Sequence, residues 1–173
     1  MRGIYYFLIG ILLFYIDTII GLVIPMHFGK IDVIFVPHLT LMYLLILTIY
    51  RSFGVALVLA IFLGLITDLY YGNIYGLYMF GYILAVVVMD RCFKIFYKDK
   101  VMIFIIILVS TISIEIYVAL IYGLIGFIQF NLIEFLLLRL LPTFIVNLLL
   151  LTILYPLMLK FLRKIQIKID SRI

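Results

Sequence analysis

Six long apolar stretches with short polar connections constrain this chain more than any other feature of its sequence. A helix needs about 20 consecutive apolar residues to cross a hydrocarbon core about 30 Å thick. Because 69% of the 173 residues are hydrophobic and only 12% are charged, no stretch remains for a soluble domain. We therefore predict one transmembrane domain, residues 1–173, built as an all-α integral membrane bundle of six transmembrane helices. The predicted spans are residues 4–24, 34–50, 53–70, 74–89, 101–122 and 132–159, followed by a basic tail, residues 160–173.

The basic residues indicate how this bundle is oriented. Eleven of the 13 Lys and Arg residues fall on the side that holds both predicted termini, whereas Lys30 falls on the opposite side and Arg139 falls inside a span. Short cytoplasmic loops of membrane proteins hold the excess of Lys and Arg. We therefore predict that both the N and the C terminus are cytoplasmic. The net charge of +5 follows from this orientation, so the sequence predicts no nucleic-acid partner.

The basic tail fits two structures. Lys160, Lys164 and Lys168 recur at every fourth position beside apolar residues, which is typical of a helix lying on the inner membrane surface. The alternation of apolar and polar residues over 165–170 fits a strand equally well. In either conformation the basic side chains attract anionic membrane lipids.

Four charged residues share the half of the predicted bundle that lies away from the termini. Asp17, Glu115 and Arg139 lie about 10 Å inside the membrane boundary by helical rise, and Asp68 lies nearer to the end of its span. An unpaired charge at the bilayer centre costs about 2.5 to 3.5 kcal/mol on insertion scales. We therefore predict a polar cluster in the outer half of the bundle. Arg139 is expected to pair with Glu115, and Asp17 is the alternative partner.

The last predicted span contains a proline beside this cluster. Pro142 has no amide hydrogen to donate to the carbonyl of Leu138, so we predict a bend just after Arg139 and a carbonyl that is free to face a cavity. Asn147, two turns further along, is predicted to hydrogen-bond across helices.

The sequence contains no arrangement typical of an enzyme. Its serines have no histidine at matching depth, and it contains neither an HExxH pair nor a phosphate-binding glycine loop. His27 and His38 lack the spacing of metal ligands, and we predict that both are interfacial. Cys92, the single cysteine, is predicted to be a free thiol. We therefore predict no catalytic, cofactor-binding or metal site.

The most strongly patterned stretch carries Gly64, Asp68, Gly72 and Gly76, each four residues after the one before. Residues four apart share one face of a helix, and a glycine lets a neighbouring helix backbone approach closely. Gly72 and Asn73 are predicted to form the turn of a helical hairpin. The alternative is that these residues form only a loop, with Asp68 as an interfacial carboxylate.

Several motifs of this region occur together in a known family. They are Pro37 at the start of the second span, Arg51 after it, the pattern Gly64-Leu65-x-x-Asp68-x-x-x-Gly72, and Gly76-Leu77 before the fourth span. In these motifs, in its size and in its short loops, the chain resembles the MreD family of bacterial rod shape-determining proteins.

This resemblance implies a multi-pass subunit of the bacterial cytoplasmic membrane that takes part in elongation of the lateral cell wall, with no catalysis and no cofactor. The implied partners are MreC, the actin-like MreB filament, and a glycosyltransferase and transpeptidase pair. The family is also similar in fold to the substrate-binding subunits of energy-coupling-factor vitamin transporters. Those subunits carry alanines four apart in the first span, and this chain has no alanine there.

Two hypotheses about function follow. The first is a scaffold or adaptor, in which a helical hairpin and a partner surface are shaped by Gly64, Asp68, Gly72 and Gly76. The second is a solute-binding or transport subunit, in which an outward polar pocket for a charged molecule or lipid headgroup is lined by Asp17, Glu115 and Arg139. The glycine pattern favours the scaffold.

Overall fold

The computed structural model describes residues 2–23, 27–28, 31–95, 100–126 and 131–170. The helices are α1 (Arg2–Val23), α2 (Leu39–Tyr50), α3 (Phe53–Tyr71), α4 (Leu77–Ile95), α5 (Lys100–Leu124), α6 (Leu132–Glu134) and α7 (Leu141–Asp170). A π-helical segment, Phe135–Leu140, joins α6 to α7, so these elements form one last helical stretch. Within the described ranges the chain thus forms six helical stretches, and the predicted all-α bundle is confirmed.

Several of these helices are suited to a membrane. Among the described residues, four helical regions are long and apolar enough to cross one: Ile4–Val23, Phe53–Tyr71, Val101–Leu124 and Leu132–Leu162. Large apolar side chains on the outer faces of the bundle are exposed, as expected where lipid replaces water as the surrounding solvent; examples are Leu22, Val58 and Leu149. Together these features indicate a multi-pass membrane protein.

The short helix α2 lies at the centre of the bundle. Every residue from Leu39 to Thr48 is buried, and α2 contacts α1, α3, α4, α5 and α7. At 1.5 Å of rise per residue, its 12 residues cover only about 18 Å of a hydrocarbon layer about 30 Å thick. α2 alone is therefore too short to cross the membrane. The second span was predicted to be helical over 34–50, whereas its helix begins at Leu39.

Helices α3 and α4 form a closely packed antiparallel pair. Gly64 lies against α4 so closely that an added Cβ atom would be 2.5 Å from the Cα atom of Met79. The chain turns between Tyr71 and Leu77, as the sequence predicts. Gly76 in this turn has φ of +93°, a conformation that residues with a side chain rarely adopt.

The two ends of the bundle have different connections. At the end opposite the termini, the predicted first loop contains a short antiparallel strand pair, His27–Phe28 with Ile31–Asp32. At the other end, α7 continues as a helix to Asp170, beyond the predicted end of the last span at residue 159. The tail is therefore helical as far as Asp170 and not a strand, and its placement on the membrane surface stays a prediction.

Candidate functional site

A carboxylate on α1 caps the buried start of α2. Asp17 Oδ1 accepts a hydrogen bond from the Leu39 amide at 2.8 Å, and Asp17 Oδ2 accepts from the Thr40 amide at 2.9 Å and from Thr40 Oγ1 at 2.7 Å. The first amides of a helix have no partner within the helix, and that end carries partial positive charge. Asp17 is only 6% exposed, so α2 supplies both the hydrogen bonds and the positive potential that its carboxylate needs.

The chain reaches α2 through the non-helical residues 33–38, which lie against the last helical stretch. The Ile34 amide donates to the Leu138 carbonyl at 2.8 Å, and the Val36 amide donates to Thr143 Oγ1 at 3.3 Å. Hydrocarbon offers no hydrogen-bond partners, so non-helical backbone at membrane depth must be satisfied by protein. These bonds allow the chain to pass through the membrane without a helix.

Pro142 explains why one of these partners is available. In a regular α-helix the carbonyl of Leu138 would accept from residue 142, but proline has no amide hydrogen. The preceding turns are π-helical, and the carbonyl binds the Ile34 amide instead. The predicted bend stays a prediction, and the freed carbonyl, which was expected to face a cavity, instead holds the segment before α2 in place.

Asn147 fixes the same non-helical segment from one turn further along α7. Its Oδ1 accepts from the His38 amide at 2.9 Å, and its Nδ2 donates to the carbonyl oxygens of Val36 and Thr143, both at 2.8 Å. Asn147 is fully buried. The hydrogen bond that the sequence predicts between helices is thus made to the segment that precedes α2.

Glu115 on α5 joins two basic side chains from different elements. Its Oε1 lies 2.9 Å from His38 Nε2, and its Oε2 accepts from Arg139 Nε at 2.8 Å. The Glu115 side chain is fully buried, whereas that of Arg139 is 25% exposed. The expected pairing of Arg139 with Glu115 is confirmed, and the alternative partner, Asp17, binds α2 instead.

The prediction that His38 is interfacial is wrong. His38 is only 3% exposed, and its ring contacts the buried Glu115. The physical reason is that the non-helical residues 33–38 enter the bundle before α2 begins, so His38 lies in the interior and not at the surface. The side chain of His27 lies outside the part of the structure that is described.

A second carboxylate, Asp68 on α3, caps the start of α4 in the same way. Asp68 Oδ2 accepts from the amides of Gly76 and Met79, both at 3.0 Å, and Oδ1 accepts from the Tyr78 amide at 2.7 Å. Asp68 is 1% exposed. Gly72 closes α3 by donating its amide to the Asp68 carbonyl at 2.9 Å. The four-residue pattern therefore builds the hairpin around one capped helix start.

Next to these two networks lies a cavity of about 480 Å³ at the end of the bundle opposite the termini. Its walls come from α1, residues 34–38, α3 and α4, with Tyr122 from α5 and Arg139 from the last helical stretch. Of the three residues that the pocket hypothesis places in the lining, Asp17 and Arg139 line the cavity, whereas Glu115 does not, because His38 and Arg139 occupy its oxygen atoms. Among the described residues, no group of three His, Cys, Asp or Glu side chains is arranged to hold a metal ion.

The sequence model of one protein family, rod shape-determining protein MreD, matches residues 1–165 of the chain. The chain belongs to the MreD family. It is therefore a membrane protein involved in determining rod shape. Comparison with curated proteins and with solved structures gave no match.

In this MreD family member, the residues singled out from the sequence form two groups. Asp17, Glu115, Arg139 and Asn147 surround the start of α2, and Gly64, Asp68, Gly72 and Gly76 surround the start of α4. Sequence reasoning missed His38, Thr40 and Thr143. One signal was available, because Thr143 and Asn147 are four residues apart and share a polar face on an otherwise apolar helix.

Proposed function

We propose that this chain is a non-catalytic scaffold subunit of the bacterial machinery that elongates the lateral cell wall. It lies in the cytoplasmic membrane with both termini in the cytoplasm. It binds MreC and assembles with the actin-like MreB filament and the glycosyltransferase and transpeptidase pair. The single observation that carries this proposal is the MreD family match over residues 1–165.

The use of the buried charges supports a scaffold. The carboxylate oxygens of Asp17 and Asp68 accept hydrogen bonds from the amides at helix starts, and those of Glu115 bind two side chains of the bundle. Groups held in this way fix the relative positions of helices, which is what a subunit needs in order to present a constant surface to its partners. Buried ionisable groups in membranes are functional by default. Here they hold helices together, so their distribution favours a role in assembly over a role in chemistry.

The end of the bundle that holds the termini supports cytoplasmic contacts. Arg91 and Lys160 are exposed there, and Arg51 is partly exposed with its guanidinium 5.8 Å from the ring centre of Tyr6. Cations at this end attract anionic lipid headgroups and acidic surfaces of cytoplasmic proteins.

A complementation experiment tests the scaffold. The tagged chain is expressed in rod-shaped bacteria depleted of their own MreD family member, and cell shape is measured together with the proteins recovered after crosslinking in the membrane. We expect rods to be restored and MreC to be recovered with the chain. Round cells that contain normal amounts of the chain, with no wall-synthesis protein recovered, would overturn the proposal.

Two variants test in the same cells whether rod shape depends on the stability of the bundle. Asp68→Asn weakens the cap on α4, and Arg139→Leu removes the partner of Glu115. Each is expected to lower the amount of folded chain, and rod shape is expected to follow that amount. The matched control is Ser113→Ala, because the Ser113 hydroxyl is exposed and, in the part of the chain that the structure describes, bonds to the Val109 carbonyl of its own helix.

A further inference from the structure

The cavity at the end opposite the termini has the size and lining of a ligand site. Its volume of about 480 Å³ lies within the range of about 300 to 1,000 Å³ that is usual for small-molecule pockets. Aromatic rings form much of its wall, among them Phe14, Tyr70, Tyr78 and Tyr82. A cavity of this kind holds an apolar or ring-shaped portion of a ligand against the rings and orients it by a few polar groups.

The acidic groups near the cavity have little capacity left for a ligand. Asp17 accepts three hydrogen bonds from α2, which leaves about one of the four lone pairs of its carboxylate. Glu115 is fully buried, and both of its oxygen atoms already bind basic side chains. Neither group is therefore placed to hold a cation.

Arg139 provides hydrogen-bond donors at the cavity wall. Its Nε binds Glu115, and in the described part of the chain no further hydrogen bond occupies its Nη1 and Nη2 atoms, which carry four N–H groups. The side chain is 25% exposed and lines the cavity. Tyr78 belongs to the same wall and carries a further hydroxyl donor, whereas the Tyr82 hydroxyl already lies within hydrogen-bonding reach of the Thr67 side chain. The polar part of the cavity is therefore rich in donors.

We propose that this cavity binds a phosphate group, held by the Nη atoms of Arg139 and by the Tyr78 hydroxyl group. The planar guanidinium matches the oxygen atoms of a phosphate in a bidentate fashion. Two residues that line the cavity, Leu22 and Tyr70, are 76% and 56% exposed, so the cavity opens to the surface of the bundle. A phosphate at Arg139 is thus within reach of both a lipid headgroup and a soluble phosphate ester. This binding site goes beyond the scaffold function and does not depend on it.

Binding is measured on the full chain in a maltoside detergent and in phosphate-free buffer. The soluble probe is glycerol 3-phosphate, and the lipid probe is short-chain phosphatidylglycerol, with diacylglycerol as its uncharged counterpart. We expect a concentration-dependent rise in the thermal midpoint, because a ligand bound only to the folded state stabilises it. A rise with glycerol 3-phosphate identifies a soluble ester as a sufficient ligand, and a rise with phosphatidylglycerol alone identifies the lipid headgroup.

Three variants test the site without removing a charge from the Glu115 network. Gly21 lines the cavity and an added Cβ atom would meet nothing within 4 Å, so Gly21→Leu is expected to fill the space and abolish the shift. Arg139→Lys keeps the charge but loses the planar fork, and Tyr78→Phe loses one hydroxyl. Both are expected to weaken binding about tenfold, as for the loss of one hydrogen bond to a charged group.

The control is Tyr43→Phe. It removes a buried hydroxyl that donates to the Tyr6 carbonyl at 2.8 Å, and Tyr43 does not line the cavity. This variant is expected to bind the probe as the unchanged chain does. The proposal is overturned if neither phosphate probe gives a shift, if diacylglycerol gives an equal shift, or if binding is unchanged in Gly21→Leu. Restoration of rod shape is measured separately, so failure here leaves the scaffold proposal intact.

Discussion

Asp17, Asp68 and Glu115 are carboxylates that lie almost completely inside the bundle, and each binds groups from another element. Removing a charged group from water costs several kcal/mol unless hydrogen bonds and opposite charge replace the solvent. For Asp17 and Asp68 the replacement is a helix start, with three bonds each. For Glu115 it is a pair of basic side chains. These carboxylates therefore couple neighbouring helices, and their removal should loosen specific joints.

The first prediction concerns the cap on α2. Asp17→Asn keeps the shape of the side chain but replaces one accepting oxygen with an amide group that faces backbone donors. We expect a loss of about 1.5 to 3 kcal/mol of stability, typical of a hydrogen bond to a charged group. It is measured as a lower midpoint of thermal unfolding in detergent. Thr40→Val, which removes only the Thr40 hydroxyl bond, should cost less than Asp17→Asn.

A larger or equal loss in Thr40→Val would show that Asp17 contributes through its contact with the hydroxyl and not through the start of α2.

The second prediction concerns the pair formed by Glu115 and Arg139. Glu115→Gln leaves Arg139 without this counterion, and Arg139→Met leaves Glu115 with His38 but without the guanidinium, so each single change should cost more than about 1 kcal/mol. The double variant removes both charges and should be less destabilised than the sum of the two single variants by about 0.5 to 3 kcal/mol. Midpoints of thermal unfolding for all four proteins provide the cycle. Additive losses would show that the two side chains do not interact energetically.

Some of these residue roles follow from the sequence and others do not. The pairing of Arg139 with Glu115 is predictable, because two opposite charges at similar depth on consecutive spans have few other partners. The binding of Asp17 to α2 is not, because its partners are backbone amides, which every residue carries. His38 is missed for a related reason, since its depth depends on where the helix begins and not on its distance from the end of an apolar run.

Among the elements, the second span shows what an apolar sequence pattern can and cannot predict. Hydropathy over 34–50 reports an apolar environment, and it does so equally for a helix and for a non-helical segment whose backbone is satisfied by protein. Residues 33–38 are of the second kind because Leu138, Thr143 and Asn147 supply partners from the last helical stretch. The half-length helix α2 therefore depends on partners about 100 residues away in sequence, as shown by the separation of 109 between His38 and Asn147. Such long-range hydrogen bonds cannot be predicted from the local sequence.

The third prediction concerns the contact between α3 and α4. Gly64→Ala would bring the new Cβ atom within 2.5 Å of the Cα atom of Met79, so the two helices must move apart. We expect a clear fall in the thermal midpoint. Gly54 lies on the same helix, and a Cβ atom there would meet nothing nearer than Ser52 Oγ at 3.9 Å. Gly54→Ala should therefore be neutral or slightly stabilising, since alanine is favoured over glycine in helices by up to about 1 kcal/mol.

Equal effects of the two alanines would indicate that α3 tolerates a side chain at Gly64, and the close approach of α4 would then not depend on glycine.

Across the whole molecule, the helices α1, α3 and α5 each carry one acidic residue that joins the helix to another part of the bundle. Asp17 on α1 binds the start of α2, Asp68 on α3 binds the start of α4, and Glu115 on α5 binds Arg139 in the last helical stretch. These joints all lie toward the end opposite the termini, where the cavity is also found. The exposed basic residues Arg91 and Lys160 lie toward the other end. This asymmetry is the basis for orienting the bundle, because positively charged segments remain in the cytoplasm.

The fourth prediction tests this orientation in cells. In a Cys92→Ser background, Asn73→Cys introduces a thiol in the exposed turn between α3 and α4, and Ser52→Cys introduces one in the exposed connection between α2 and α3. These positions lie at opposite ends of α3, a helix long enough to cross the membrane. A membrane-impermeant maleimide should label Asn73→Cys in intact spheroplasts and Ser52→Cys only after permeabilisation. The reverse pattern would place the termini and their basic residues outside the cell. Contact with cytoplasmic partners through that end would then be impossible, and the cavity would face the cytoplasm.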